Sequence, residues 1–514
     1  MKVAVSDFTR PIWEYLGWQS SLNEDRIDVK FVTQDSREIK KGAAFFAYDG
    51  QNFKGKDFIF QAIANHAAAV FVDWEHREFI VADPRYNSNL PIFFNRDFLR
   101  AAGRTIAFFF GDPTRFMYTV AVTGTNGKTT ISHSLFQALN FLGKRAMYTG
   151  TLGMQVTRHK IITGMTTPDN VMLQNMLHQG FQQKATYASI EASSHGLHQG
   201  RLEGVHFKIG IFTNLTQDHL DYHGDMQSYY RAKRRLFEYL VFASRKDANN
   251  VKGAIITTDD EWGKKLYEWL KTQSPSFPVI SLSQNDKNAD AQVTDISAEF
   301  AGYQCTLIFA QKSYFIKTKL LGRYNLMNLC TVFLTLLLLG FTADEVLKVL
   351  VQIEPVPGRF QVIRGKEERM VVIDYAHSPD ALAKVLDTAQ ELTPSRVINV
   401  FGCGGDRDKE KRPLMAEAAS LNADLCVITN DNPRNEDPDD IIMDIRRGLK
   451  TARYLVIPDR EKAIRAGLQI LGPREILVIA GKGHEDYQII GNKKTHFSDF
   501  EVADRLMGVL KMKR

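Results

Sequence analysis

The chain has 514 residues, 44% hydrophobic and 24% charged. This composition excludes a disordered chain, and the length exceeds one ordinary core, so several domains are expected. The formal net charge is +6, from 65 basic and 59 acidic residues. Such a mild excess suits small anionic substrates, and we expect no nucleic-acid partner.

Cysteine usage and apolar segments indicate a cytoplasmic protein. No C-x-x-C pair occurs, so we expect buried free thiols in a reducing compartment. The segment Met1 to Arg10 lacks the apolar core of a signal peptide. The longest apolar run, Val332 to Leu339, is far shorter than the ~20 residues of a membrane span and predicts a buried helix. We therefore expect a cytoplasmic protein without membrane insertion; separately, we expect it to be a monomer. The cysteines are Cys305, Cys330, Cys403 and Cys426.

Short apolar runs alternate with helical patterns, which predicts an α/β fold with mostly parallel sheets. A buried strand at Tyr118 to Val122 precedes a glycine turn and a helix. The apolar face of that helix carries Ile131, Leu135, Phe136, Leu139 and Leu142. The other predicted strands before residue 353 are Ala44–Ala47, Ala68–Val72, Pro91–Phe94, Tyr187–Ile190, Ile209–Thr213 and Ala254–Thr257.

The segment Glu354-Pro-Val-Pro-Gly358 is typical of a domain boundary, and a new alternation of strands and helices follows it. We therefore predict three α/β domains: a small one over residues 1–96, a central doubly wound one over 97–352, and a third over 353–514. The predicted strands of the third domain are Val371–Ile373, Val397–Phe401, Leu425–Thr429 and Ile476–Ile479.

The strongest single motif is Thr123-Gly-Thr-Asn-Gly-Lys-Thr-Thr130, between the predicted strand and helix. Glycines let backbone N–H groups turn toward phosphate oxygens, and a helix N-terminus adds partial positive charge. Lys128 would reach the β- and γ-phosphates, and Thr129 or Thr130 would hold Mg²⁺. The strict phosphate-loop pattern fails because Val122 replaces its first glycine, so a chance glycine turn is the alternative. The predicted nucleotide-binding residues are Gly124, Thr125, Asn126, Gly127, Lys128, Thr129 and Thr130.

A series of further motifs, in their order along nearly the whole chain, resembles the Mur ligase family. The resemblance implies a UDP-substrate domain at 1–96, a P-loop ATPase domain at 97–352, and a Rossmann-like domain at 353–514 that binds the incoming amino acid. The motifs are Thr166–Asp169, Glu191–Leu197, Thr213–Gly224, Ala232–Phe237, Gly322–Asn328, Gly358–Phe360, Asp374–Asp380, Gly402–Lys409, Asp431–Arg434 and Gly481–Glu485.

The resemblance also implies the reaction. An ATP- and Mg²⁺-dependent ligase would convert a substrate carboxylate into an acyl phosphate, which an amine then attacks. Within the family, the motifs are most similar to those of ligases that use diaminopimelate. The resemblance therefore implies that meso-diaminopimelate is added to UDP-N-acetylmuramoyl-L-alanyl-D-glutamate in peptidoglycan synthesis. Arg434 argues against a lysine-adding relative. The segment Gly402 to Lys409 argues against a D-Ala-D-Ala-adding ligase or a folylpolyglutamate synthetase.

A phosphate-loop binding module without ligase chemistry is a further alternative, opposed by three residues. Glu191 follows a predicted strand, and its carboxylate suits Mg²⁺. His219, beside Asp218, would alone be an ordinary loop histidine. Lys233 lies in a charged helical pattern, and spacing alone predicts a solvated surface lysine. The resemblance instead implies that Thr130, Glu191, His219 and a carbamylated Lys233 serve magnesium, because an unmodified lysine would repel the metal.

The resemblance assigns the remaining contacts residue by residue. It implies Asn325 and Asn328 near the adenine, Asp374 at the ribose and Arg359 at the phosphates. Arg434 would pair with the distal carboxylate of the amino acid, and Glu485 with the neighbouring ammonium group. Gln51, Asn52 and Phe53 depart from the common form of the uridine loop. The residues implied for the UDP-linked substrate are Ser36, Thr166, Thr167, Ser193, Gln199 and Arg201. Those implied for the amino acid are Arg407, Asp431, Asn432, Pro433, Arg434, Gly481 and Glu485.

Overall fold

The computed structural model describes residues 8–20, 26–50, 53–157, 159–247, 249–299, 302–450 and 453–512. Most of the segment Met1 to Arg10, which lacks the apolar core of a signal peptide, lies outside these residues. Gln51 and Asn52 of the predicted uridine loop also lie outside them. Within the described ranges, none of the helices has the length and apolar character needed to cross a membrane.

The chain divides into two compact units. The first comprises Met1–Ala121, Gly143–Gly210 and Arg235–Val251. The second comprises Val122–Leu142, Ile211–Arg234 and Lys252–Arg514. The strands Tyr118–Thr123 and Ile209–Phe212 and the helix Met226–Lys246 are divided between them.

A five-stranded sheet in the first unit confirms the strands predicted before residue 97. Its parallel strands lie in the order Ile92–Asn95, Ala69–Asp73, Ala43–Phe46 and Phe31–Thr33, and Gln19–Ser20 adds an antiparallel edge. Aromatic side chains from three neighbouring strands stack on one another in the core. The ring centroids of Phe46 and Phe71 are 4.5 Å apart, and those of Phe71 and Phe93 are 5.0 Å apart.

A second sheet region of the first unit places Glu191 at a strand end. Tyr187–Glu191 pairs in parallel with Ala146–Gly150, and Gly153–Val156 and His159–Ile161 extend the region antiparallel. The helices of this unit, apart from the divided one, are Arg10–Tyr15, Ile59–Ala64, Arg77–Val81, Phe98–Phe109, Asn170–Gln182 and Ser194–His198, and its remaining strands are Phe8–Thr9 and Arg26–Ile27.

The second unit carries the predicted C-terminal sheet. Its six strands lie in the order Gln361–Arg364, Met370–Asp374, Ile476–Ala480, Val397–Phe401, Leu425–Ile428 and Tyr454–Val456, and all neighbours except the first pair run parallel. The α/β prediction is therefore confirmed here, and the strand ends agree with the predicted ones within a residue.

Another sheet region of this unit confirms the predicted strand Ala254–Thr257 within one residue and adds four strands that the sequence pattern did not predict. Gly253–Thr257 and Val279–Ser283 are parallel, and Ala291–Glu299, Gly302–Phe309 and Lys312–Thr318 continue as an antiparallel meander. The helices of this unit are Lys128–Phe141, Leu220–His223, Glu261–Thr272, Arg323–Leu338, Ala343–Leu350, Pro379–Leu392, Lys411–Asn422, Pro438–Arg446, Arg460–Ile470 and Asp499–Met512, and its last hairpin is Tyr487–Ile490 with Lys493–His496.

Two expectations about burial are confirmed. The apolar run from Val332 falls in the buried helix Arg323–Leu338. All four cysteines are buried and free, and the sulfurs of Cys305 and Cys330 are 3.8 Å apart.

A buried ion pair ties together the strand ends of the C-terminal sheet. Arg460 and Asp499 have fully buried side chains, and their closest nitrogen–oxygen distance is 2.7 Å. The same guanidinium donates to the carbonyl of Ala480 at 3.0 Å and to that of Asn430 at 3.4 Å. Ala480 ends one strand and Asn430 follows another, with strand Val397–Phe401 between them, so Arg460 links the two loops that begin there.

We predict that Asp499→Asn lowers the free energy of unfolding by about 3–5 kcal/mol, because it leaves a buried guanidinium without its counter-charge. Urea unfolding followed by circular dichroism measures the change. Asp504→Asn, at an exposed position of the same helix, is the matched control. Equal unfolding midpoints for the two variants would contradict the prediction.

Candidate functional site

The segment predicted to be a phosphate loop lies, as expected, between strand Tyr118–Thr123 and helix Lys128–Phe141. Gly127 caps the helix with φ 87°, and a Cβ there would lie 2.7 Å from Oδ1 of Asn328. The backbone N–H of Asn126 donates to Oδ1 of Asn214 at 3.0 Å, and Thr213 Oγ1 donates to the carbonyl of Asn126 at 2.5 Å. Glycine at 127 therefore keeps the loop open beside Asn328.

Two lysines converge on one carbonyl of this loop. Lys128 Nζ donates to the carbonyls of Gly124 and Thr125, both at 2.9 Å. Lys233 Nζ donates to the carbonyl of Gly124 at 2.7 Å, and its side chain is only 1% exposed. Burial, together with the charge of Lys128, holds the pKa of Lys233 well below its usual range. The alternative of a solvated surface lysine is wrong.

The helix Met226–Lys246 explains the burial of Lys233. One turn earlier, Tyr229 is buried, its hydroxyl lies 3.2 Å from Thr125 Oγ1, and its ring centroid lies 4.5 Å from Lys233 Nζ. Residues four apart share a helix face, so Tyr229 and Lys233 both face the loop. His219 lies just before a short helix with φ 55°, and its Nε2 is 3.5 Å from Asp218 Oδ2.

Residues assigned to the nucleotide lie around the same loop. Arg359 donates to Thr129 Oγ1 at 3.1 Å, and its guanidinium carbon lies 4.6 Å from the ring centroid of Tyr375. Asn328 donates to Oδ1 of Asn325 at 3.1 Å. The alternative of a linker arginine in solvent is therefore wrong for Arg359.

Asp374 is the last residue of strand Met370–Asp374 and is buried. Its Oδ2 accepts a hydrogen bond from the backbone N–H of Phe360 at 2.6 Å. Burial raises the pKa of Asp374 to about 6, although Arg359 opposes that shift. The carboxylate is thus a strong hydrogen-bond acceptor above that pH and a donor below it.

Asp218 lies in a charged cluster with His377 and Lys411, for which the sequence predicted no role. His377 Nε2 lies 3.8 Å from Asp218 Oδ2, and Lys411 Nζ lies 3.8 Å from Oδ1. Burial alone would raise the pKa of Asp218, but His219, His377 and Lys411 outweigh it and hold the pKa below its usual range. His377 lies within the quoted motif Asp374–Asp380, which was the available signal.

In the first unit, Glu191 is fully buried at the end of its strand. Its Oε1 accepts hydrogen bonds from the Tyr148 hydroxyl at 2.5 Å and the Thr151 N–H at 3.0 Å, and Oε2 accepts one from Thr151 Oγ1 at 3.0 Å. Neither Tyr148 nor Thr151 stood in a recognised motif. Thr166 Oγ1 lies 3.1 Å from Thr151 Oγ1, so Glu191 and Thr166 share this polar group.

The residues predicted for the UDP-linked substrate partly converge near Glu191. Thr167 Oγ1 donates to the carbonyl of Glu191 at 2.7 Å and accepts from the Ser193 N–H at 2.9 Å. Arg201 donates to the carbonyl of Thr167 at 2.7 Å and to Gln199 Oε1 at 2.6 Å. Ser36 begins a short 3-10 helix, Ser36–Glu38, and is half-buried.

The loop predicted to bind the amino acid surrounds Gly404 in the second unit. Arg434 has φ 53°, is partly buried, and donates to the carbonyl of Gly405 at 2.8 Å. A Cβ on Gly404 would lie 2.9 Å from NH1 of Arg434 and 3.8 Å from Cγ of Arg407. Arg407 is exposed and donates to the carbonyl of Asp406 at 3.0 Å. Both arginines therefore flank one glycine turn, and a simple solvent-exposed loop arginine is the wrong description of Arg434.

The other residues of this pocket gather around Lys482, which the sequence analysis did not single out. Lys482 Nζ donates to Asn432 Oδ1 at 3.2 Å and Glu485 Oε2 at 3.1 Å, and lies 3.6 Å from Asp431 Oδ1. Gly481 has φ 117°, and a Cβ there would lie 2.6 Å from Asp431 Oδ2. Pro433 lies against the glycine turn, and its carbonyl fills the space that a Cβ on Gly405 would need.

The donor set around the loop fits a magnesium nucleotide. A phosphate loop with Lys128 and Arg359 supplies cations for phosphate oxygens. The hydroxyls of Thr129 and Thr130 are buried at the first helical turn, where Mg²⁺ is commonly held in such loops. Lys233 in its unmodified form does not fit a metal ligand, because an ammonium group repels Mg²⁺.

Comparisons of the sequence with family models and with single proteins find relatives of the same family. Three family models match: the Mur ligase family catalytic domain over residues 28–91, the Mur ligase middle domain over 122–336, and the Mur ligase glutamate ligase domain over 358–483. A UDP-N-acetylmuramoyl-L-alanyl-D-glutamate–2,6-diaminopimelate ligase from Chromobacterium violaceum is 39% identical, over 95% of this chain and 97% of the relative. A ligase of the same name from Neisseria meningitidis serogroup B is 40% identical over 93% of this chain and 94% of its own.

Solved structures agree with these sequences. A 2,6-diaminopimelate ligase structure is 34% identical, with a TM-score of 0.67 over 95% of this chain and 96% of that chain. A D-alanyl-D-alanyl ligase from Acinetobacter baumannii shares the fold with a TM-score of 0.59, over the full length of both chains, at 17% identity.

We predict that Lys128→Ala weakens ATP binding about 10- to 100-fold, since a hydrogen bond to a charged group contributes ~1.5–3 kcal/mol. Titration calorimetry with ATP and Mg²⁺ measures the affinity. Lys144→Ala, at an exposed position just after the same helix, is the control. Unchanged affinity in a folded Lys128→Ala protein would refute the phosphate-loop assignment.

Proposed function

This chain belongs to the Mur ligase family, and on that premise we propose that it joins meso-diaminopimelate to UDP-N-acetylmuramoyl-L-alanyl-D-glutamate in an ATP-dependent reaction of peptidoglycan synthesis. The full-length relatives carry the ligase assignment. The choice of amino acid rests chiefly on Arg434, which stands beside the buried group formed by Asp431, Asn432 and Glu485.

The pocket chemistry supports diaminopimelate over lysine. These amino acids differ chiefly by a distal carboxylate, and the planar guanidinium of Arg434 can pair both oxygens of such a group. Glu485 supplies the opposite charge for the neighbouring ammonium group. Lysine would leave Arg434 without its partner, which a partly desolvated site penalises.

Activation of the substrate carboxylate calls for charge neutralisation and positioning. ATP supplies the phosphoryl group that makes a poor acyl donor reactive, and Mg²⁺ offsets phosphate charge. Lys128 and Arg359 bring two cations to the phosphate loop, and their contacts with the loop hold them there before substrate arrives. We assign Asn325 and Asn328 to the adenine and Asp374 to the ribose.

Four residues are proposed to serve magnesium. Thr130 contributes a hydroxyl from the phosphate-loop helix, and His219 contributes an imidazole from the loop beside Asp218. Glu191 contributes a carboxylate that Tyr148 and Thr151 hold in one orientation. Oxygen ligands such as the hydroxyl and the carboxylate suit Mg²⁺.

The fourth, Lys233, is proposed to act as a carbamate. A neutral amine adds to CO₂ and releases a proton, giving an N-carboxylate that can accept a metal ion. Two features of Lys233 support this reaction: its burial, and the proximity of Lys128, both of which favour the neutral amine. Carbamylation would convert a repelled cation into a usable anion at the same place.

The domain division is also proposed: residues 1–96 for the UDP end of the substrate, 97–352 for ATP, and 353–514 for the amino acid. Each of the three matched family models falls inside one of these ranges. Four buried free thiols support a reducing compartment, and we place the protein in the cytoplasm.

ADP release measured with the UDP-linked dipeptide tests the function directly. We expect turnover with meso-diaminopimelate and little with L-lysine or D-Ala-D-Ala. A preference for either of the other amines would replace the proposed substrate, and nucleotide binding without amine-dependent ADP release would favour a binding module.

We predict that Arg434→Ala lowers kcat/KM for meso-diaminopimelate by the equivalent of about 2–5 kcal/mol, because it removes one partner of a desolvated charge pair. The value for L-lysine should change little, so the selectivity ratio collapses. Arg465→Ala, on an exposed helix face of the same region, is the control. An unchanged kcat/KM for meso-diaminopimelate in Arg434→Ala would refute the role of Arg434 and leave the amino-acid substrate unassigned.

We predict that Lys233→Ala lowers kcat by about two orders of magnitude or more, since metal-held charge stabilisation is worth several kcal/mol. Short carboxylic acids added to this variant should restore part of the rate by replacing the carbamate. Lys246→Ala, at the exposed end of the same helix, should behave as wild type. Wild-type activity of Lys233→Ala without any additive would exclude the proposed metal-binding role.

A further inference from the structure

Lys482 is a fully buried lysine with three polar partners in the amino-acid pocket. Its side chain has 0% exposure, and its ammonium group lies within 3.6 Å of Asp431, Asn432 and Glu485 oxygens. An ammonium group has three donors; two of them hydrogen-bond to Asn432 and Glu485, and the group also forms an ion pair with Asp431, so its charge is already engaged within the protein. Its function must be exerted through the residues it holds.

The charges around Lys482 are unequal. Two carboxylates, Asp431 and Glu485, face a single ammonium group, so the group of three carries one net negative charge when both are ionised. That remaining charge is available for a cationic ligand. Without the lysine, the charge of Asp431 would disfavour the ionised form of Glu485 with no ammonium group to offset it.

Glu485 is the member of this group that faces several aromatic and charged neighbours. Asn432 Nδ2 donates to its Oε2 at 3.0 Å, and the Tyr487 hydroxyl donates to Oε1 at 3.3 Å. Burial and the charge of Asp431 raise the pKa of Glu485, whereas Lys482 lowers it. The charged and titratable groups that act on or are acted on by Glu485 are Tyr375, Asp431, Arg460, Lys482 and Tyr487.

We propose that Lys482 is a positioning residue for the ligase: it holds the Glu485 carboxylate, against the neighbouring Asp431, as the partner for an ammonium group of the amino-acid substrate. The inference rests on the proposed function, because it assigns Glu485 to the amino acid. Lys482 itself touches neither the reacting amine nor the nucleotide.

The role has a distinctive pH signature. Removing the Lys482 charge raises the pKa of Glu485 further, so at lower pH more of this carboxyl is protonated and lost as a partner. The KM for diaminopimelate should therefore rise as pH falls, and the defect should shrink as pH rises and Glu485 ionises. A lysine that merely fills space would give a defect independent of pH.

The experiment measures KM for meso-diaminopimelate and for ATP between about pH 6.5 and about pH 9 in the wild type and in Lys482→Met. We expect the KM for diaminopimelate to rise about tenfold or more at the acid end, where protonation depletes the Glu485 carboxylate, and to approach wild type at the alkaline end. The KM for ATP should stay unchanged throughout. Lys462→Met, exposed on the helix Arg460–Ile470, is the matched control.

Two further variants separate charge from shape. Lys482→Gln retains an amide donor for Asn432 but no charge, so it should show the same pH-dependent defect as Lys482→Met. Adding Asp431→Asn to Lys482→Met removes the competing carboxylate and should lower the acid-side KM again. A pH-independent defect, wild-type behaviour of Lys482→Gln, or no recovery in the double variant would each overturn the proposal.

The Lys482 variants lack a folded state if they show no thermal unfolding transition. In that case Asp431→Asn alone decides, because it should move the acid limb of kcat/KM for diaminopimelate to lower pH, and an unmoved limb overturns the proposal. Failure of the wild type to use diaminopimelate would refute the proposed function. Normal wild-type turnover with pH-independent Lys482 variants would refute the positioning role alone.

Discussion

The carbonyl oxygen of Gly124 is the point on which the nucleotide side of this protein depends. It accepts hydrogen bonds from two lysine ammonium groups that lie far apart in the sequence, Lys128 at 2.9 Å and Lys233 at 2.7 Å. Two like charges at one buried oxygen are unfavourable unless one of them is neutral or becomes chemically changed. The lowered pKa of Lys233 follows from its burial and this crowding, and so does its suitability for reaction with CO₂.

The amino-acid side obeys a similar rule with the signs reversed. Asp431 and Glu485 need a cation between them, and Lys482 provides it from the turn after strand Ile476–Ala480. The backbone of that turn is held in place by Arg460, which donates to the carbonyl of Ala480. Parallel strands end at one edge of a sheet, so charged groups from distant parts of the chain meet there and must be balanced locally.

Much of the fold and part of the site could be predicted from the sequence. Buried parallel strands such as Val397–Phe401 are continuous apolar runs, and their predicted ends agree with the structure within a residue. The meander over residues 291–318 was missed because an irregularity between Thr294 and Ser297 interrupts the alternation of its first strand, and because its last turn, Ala310-Gln311, contains neither glycine nor proline. Spacing alone predicted the environment of Lys233 wrongly, because a helical pattern does not reveal which other elements pack on each face of the helix. Lys482 was overlooked because lysine is seldom fully buried, although it lay inside a recognised motif.

The ion pair between Arg460 and Asp499 links the proposed amino-acid pocket to the last described helix, Asp499–Met512. That helix contributes no residue to the pocket. Asp499 opens that helix, so removal of the helix would take away the carboxylate that neutralises Arg460 and leave the guanidinium that holds Ala480 and Asn430 without its buried counter-charge. Truncation before the C-terminal helix would therefore destabilise the proposed amino-acid pocket, although every residue proposed to line that pocket lies earlier in the chain.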